Sequence, residues 1–159
     1  MAFTGNYSCN TLRTGLINGT LNFSTDTFRL ALYTNSATLN QLTSAYTSDG
    51  ETSGGNYAAG GLVVTATVNT ALSSNSSTIY VNFSSPAWTG AITARGALIY
   101  KAGANGAVCV LDFGNNVTST ALSPSRCLLT LARQHSFDLY RRKHGTGYNH
   151  QRRNGRISS

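Results

Sequence analysis

At 159 residues, with 12 Lys+Arg against 5 Asp+Glu, the chain has the length of one domain with a proper core, and its formal charge of +7 suggests an anionic partner. No apolar run approaches the roughly 18 residues of a membrane helix, and the start lacks a signal peptide's basic and apolar regions, so intracellular synthesis is expected. Cys9, Cys109 and Cys127 are odd in number and far apart, which argues against a disulfide framework and for reduced, buried thiols.

The charge is unevenly placed. Residues 1–125 balance four bases (Arg13, Arg29, Arg95, Lys101) against four acids (Asp26, Asp49, Glu51, Asp112). Residues 126–159 hold eight bases and only Asp138, together with His135, His144 and His150. The sequence therefore divides into a neutral body, 1–125, and a basic C-terminal tail, 126–159. Six Asn-x-Ser/Thr sequons, at Asn6, Asn18, Asn22, Asn75, Asn82 and Asn116, are what an Asn/Ser/Thr-rich chain produces by chance in the absence of a secretion signal.

In chain order, the first expected element is a short helix. Asn10 or Thr11 is placed to cap it, Leu12, Leu16 and Ile17 form its apolar stripe, and Asn18-Gly19 supplies a left-handed stop. Thr27–Tyr33 then alternates as a half-buried strand, with Phe28, Leu30 and Leu32 inward and Arg29, Ala31 and Tyr33 on the other face. Residues 34–61 form a long polar excursion carrying Asp49-Gly50, Gly54-Gly55 and Gly60-Gly61, a length that marks functional or mobile loops. Leu62–Val68 reads as one β-branched strand, and Thr78–Phe83 as another with Ile79, Val81 and Phe83 inward. Pro86 and Trp88 introduce a turn. Ile92–Lys101 follows, with Gly96 as a bulge or close-packing point, and Ala107–Phe113 returns antiparallel to it before Gly114-Asn115-Asn116 turns the chain. Short strands every 10 to 15 residues, separated by Gly/Asn/Ser turns, predict an all-β fold: an antiparallel β-sandwich or jelly-roll-like barrel with one short N-terminal helix.

Chemistry is sparse. Asp49 and Glu51 have the spacing of a carboxylate pair but lie in a loop where acids are usually solvated, so no catalytic role is expected. Asp112 reads as an outward strand acid and Asp26 as a turn former. No nucleophile elbow, phosphate loop or dinucleotide fingerprint is present, and the spacings of Cys127, His135, His144 and His150 match no compact zinc site. The expectation is no enzyme, no cofactor and no metal. Tyr33, Tyr46, Tyr57, Tyr80, Trp88 and Tyr100 contain the makings of a stacking platform for sugars or single-stranded nucleic acid, but without a basic stripe they fit core or subunit packing better. Arg95 fits a structural or interface ion pair. Tyr46, Tyr57, Trp88, Arg95 and Tyr100 are the candidate interface residues.

Ser8–Leu12 through Leu16 and Asn18-Gly19, then Asp26–Leu39, Tyr46-Thr47, Gly50-Glu51, Ser53-Gly54, Asn56–Gly61, Trp88, Ala94–Tyr100 and Val110–Gly114, resemble a family of small tailed-bacteriophage virion proteins over roughly residues 5–118. The resemblance implies a structural protein of the particle that decorates or cements the capsid, with other copies of itself and the major capsid protein as partners and the virion as its location. An alternative is a tail- or neck-associated adhesin binding host glycans through Tyr46, Tyr57 and Trp88.

The likeness ends where an apolar closing strand is expected after residue 118. One reading of the tail is a basic arm, with Arg141, Arg142, Lys143, Arg152 and Arg153 as the candidate nucleic-acid contacts. Such blocks are also commonly disordered. The other reading is a change of reading frame. Phe137–Arg141, recoded one nucleotide downstream, permits Leu-Ile-Tyr-Ile-Ala, a good strand.

Overall fold

The computed structural model describes residues 3–69, 80–103 and 106–119. Among them the elements run β1 (Tyr7–Ser8), α1 (Asn10–Ile17), β2 (Phe28–Tyr33), β3 (Leu62–Val64), β4 (Ala66–Asn69), β5 (Tyr80–Phe83), β6 (Ile92–Lys101) and β7 (Ala107–Ser119). They form a five-stranded sheet ordered β1-β7-β6-β2-β3 and a β4-β5 pair, and every pairing is antiparallel. The all-β expectation with one short helix is met at this level. The basic tail, Cys127 and the three histidines lie outside the described residues, as does Ile79.

α1 departs from its expected stripe. Leu12 and Gly15 are buried, whereas Leu16 is 51% and Ile17 88% exposed. Gly15 turns toward Leu21, whose Cβ would lie 2.9 Å from a Cβ added at Gly15, so the helix seats on a glycine contact and leaves its last residues outside. Cys9 rather than Asn10 or Thr11 occupies the N-cap, with no side-chain cap bond. Instead, Asn10 N donates to Gln41 O and Thr11 Oγ1 to Ala107 O, tying the helix to the loop and to β7.

β2 is not half-buried. Phe28, Leu30 and Leu32 pack with Leu21, Trp88, Ile99 and Leu111, while Ala31 and Tyr33 pack on the opposite face with Ala37, Leu39, Leu98 and Tyr100. The polar excursion 34–61 covers that second face, which the alternating pattern left open to water. Leu62–Val68 divides at Thr65, where the chain leaves the large sheet for the small one. Thr65 N donates to Ser84 Oγ and Ser84 N to Thr65 O, pinning the switch. Phe83 of β5 then meets Phe28 edge-on at 5.6 Å, and Phe23 stacks on Phe28 at 5.3 Å.

β6 and β7 form a long hairpin. The register shift between Ala94 and Gly96 confirms the irregularity expected at Gly96. Phe3 explains it in packing terms, since a Cβ at Gly96 would fall 2.4 Å from the Phe3 ring and from Leu111 O. The turn expected at Gly114-Asn115-Asn116 is not a turn. β7 bulges there and continues to Ser119, and its Val117–Ser119 pair with Ala94–Ile92.

Candidate functional site

β3 covers only half of β2. The ladder ends at Leu30 opposite Leu62, so Ala31–Tyr33 would present an unpaired edge. Residues of the 34–61 loop complete it. Thr34 N donates to Gly50 O, Thr52 N to Leu32 O, and Glu51 bridges antiparallel to Tyr33. Leu32 N has no backbone acceptor there and donates to the Tyr57 hydroxyl at 2.9 Å. A phenol oxygen takes the place of a strand carbonyl.

That hydroxyl passes its own proton on. Tyr57 Oη donates to Glu51 Oε1 at 2.6 Å, Gly60 N donates to the same oxygen at 2.7 Å, and Tyr46 Oη donates to Oε2 at 2.5 Å. Three donors converge on one carboxylate, an acceptor-only group suited to them, and charge-assisted bonds are the strong kind. The same loop end is held from the sheet side: Tyr100 Oη and Arg29 Nε donate to Gly60 O at 2.8 and 3.0 Å, and an Arg29 terminal nitrogen to Gly61 O at 2.7 Å. Tyr46 stacks on Tyr100 at 5.1 Å and Tyr57 tilts against Trp88 at 5.7 Å. Thr52 Oγ1, buried, donates to Thr93 O and fixes the loop to β6.

Glu51 is thus not a solvated loop acid, contrary to the expectation from composition, while Asp49 is exposed as expected. Asp49 is not among the hydrogen-bond partners of Glu51, which are Tyr46, Tyr57 and Gly60 N. Of the candidate interface residues, Tyr46, Tyr57, Trp88 and Tyr100 do converge, but inward: Trp88 and Tyr100 are buried and the Tyr46 and Tyr57 rings lie against them. Tyr33, fully buried, donates to Thr47 O, whereas Tyr80 lies apart on β5. Arg95 pairs with Asp112 across the hairpin, as an ion pair was expected to. Asp112 is therefore a partnered acid and not a free outward one, and it also accepts from Gly114 N. The sequence reading missed Glu51. The signal available was an acid in an acid-poor chain, flanked by Tyr46 and Tyr57 and followed by Gly60-Gly61.

Burial, with Glu51 adding to it, raises the phenol pKa of Tyr46 to about 12 and pushes those of Tyr57 and Tyr33 up as well. Tyr100 is raised by burial, partly offset by Arg29. The folded state therefore holds protons that an unfolded tyrosine releases near pH ~10. Stability from these groups is complete below that pH and falls as pH rises through it towards the folded value of about 12 at Tyr46. In an alkaline titration, tyrosinate absorbance from this cluster is expected to appear together with loss of β circular dichroism. Ionisation of all eight tyrosines near pH ~10 in a protein that stays folded would contradict the assignment.

The two described cysteines are buried thiols. Burial raises Cys9 to about 11 and Cys109 to about 12, which leaves them protonated and unreactive at neutral pH. No group of metal-ligand side chains occurs among the described residues, and none of their helices is long and apolar enough to cross a membrane. Comparisons with protein-family models, with curated proteins and with solved structures each return no match.

Proposed function

We propose that this chain is a non-enzymatic structural protein of a bacteriophage particle, decorating or cementing the capsid shell as one of many copies, with a β-sandwich or jelly-roll body. The observation that carries the reading is how the body uses its charges. Asp26 pairs with Lys101 at 2.9 Å, Asp112 with Arg95, Glu51 with three internal donors, and Arg29 with two loop carbonyls. What remains for contact is largely Ser, Thr, Asn and Gly, a surface that many neighbours bury without stripping water from charges. Repetition then multiplies weak contacts into durable attachment. The apposition of Phe83 on Phe28 supports the two-layer form of the body.

An adhesin reading through Tyr46, Tyr57 and Trp88 draws less support, because those ring faces are occupied by one another and by Tyr100. Mass spectrometry and cryo-EM of purified particles test the proposal. Hundreds of copies on the shell are expected, a handful at the tail or neck would favour the adhesin, and absence from the particle overturns both.

A further inference from the structure

We propose that Asn18 is a site of spontaneous deamidation in the folded protein, converting to aspartate and isoaspartate at the end of α1. Three observations bring the chemistry together. Asn18 and Gly19 are both exposed, so water reaches the reacting atoms, and ring closure needs the Asn18–Gly19 peptide to rotate from its ψ of 2° at the end of the helix. The Asn18 carboxamide oxygen accepts from Thr20 N at 3.1 Å and Thr20 Oγ1 at 2.7 Å. Those bonds draw electron density from the carboxamide carbon and leave its nitrogen, the leaving group, unengaged by them. Gly19, with φ of +73° and no atom within 4 Å of where a Cβ would stand, offers an unhindered backbone nitrogen on a residue free to rotate.

In the first step the Gly19 nitrogen forms a bond to Asn18 Cγ and the Cγ–Nδ2 bond breaks. The Gly19 amide proton leaves with the departing group, as ammonia, and a succinimide remains. Water then adds to one of the two imide carbonyls, and ring opening gives either aspartate, with the main chain intact, or isoaspartate, with the main chain routed through the side-chain carbon. No oxidant, reductant or enzyme is needed. Either product places a carboxylate beside the C-terminal end of the helix, where the unsatisfied carbonyls already carry partial negative charge.

Asn22 provides an internal control. Its carboxamide oxygen likewise accepts from a backbone nitrogen two residues on, Ser24 N at 2.8 Å, but the following residue is Phe23, whose side chain hinders ring closure. Both asparagines fall on the tryptic fragment between Arg13 and Arg29. The native full chain, incubated at neutral and mildly alkaline pH and mapped by fragmentation mass spectrometry, is expected to accumulate acid at Asn18 at least an order of magnitude faster than at Asn22. The rate should rise with pH, and isoaspartyl methyltransferase should label the product. Gly19→Ala is expected to bring Asn18 down to the Asn22 rate. Equal rates at the two positions in the wild-type chain, or acid at Asn18 only in urea-unfolded samples, would overturn the proposal.

Discussion

Gly61→Ala is expected to cost about 4 kcal/mol or more, a large part of the stability of a domain this size. Gly61 has φ of +65°, where an L side chain is strained, and a Cβ there would lie 1.8 Å from Leu30 O and 2.6 Å from Leu30 C. Those atoms belong to β2, which is paired on both sides there, and cannot step aside without breaking its ladders or releasing Arg29 from Gly61 O. Gly19→Ala isolates the backbone part, because φ is similar and the space is open. It is expected to cost only about 1–2 kcal/mol. Urea denaturation of both variants checks the difference, and equal losses would show that the approach to Leu30 does not matter.

Glu51→Ala should cost about 3 kcal/mol, less if water reaches the freed donors. The substitution strands the Tyr46 and Tyr57 hydroxyls and Gly60 N, and it loosens the acceptor that Leu32 N relies on. The loss is concentrated in one segment, so native-state proteolysis reads it better than global unfolding. Chymotrypsin is expected to cut after Tyr46 and Tyr57 in the variant under conditions where the wild-type loop resists. Glu51→Gln, which retains an acceptor oxygen, should fall between the two. A Glu51→Ala loop that stays as resistant as wild type would mean the aromatic stacking alone holds it.

The strands were legible where period and composition agreed. Ile92–Lys101 and the return beginning at Ala107 needed only their β-branched runs and the glycine-rich turn between them. The second face of β2 was not legible, because alternation reports which residues face a sheet's core and is silent about a distant polar segment folding over the other side. Glu51 was hidden for a related reason. Its partners lie five to nine residues away with no helical or strand period linking them, so only the folded loop brings them together. The end of β7 was misread because Gly114 and two asparagines look the same in a bulge as in a turn.

The phenol that substitutes for a strand carbonyl at Leu32 also bears on mispairing between chains during folding. Ala31-Leu32-Tyr33 is a short, uncharged, apolar stretch whose outer side β3 leaves unpaired, and until the loop seats it is an open template for another chain's backbone. Closure depends on residues up to thirty positions downstream, so the interval between strand formation and loop seating is when mispairing between chains competes. A variant that weakens the latch should therefore be lost to aggregation during expression before any deficit in the stability of the purified protein is seen.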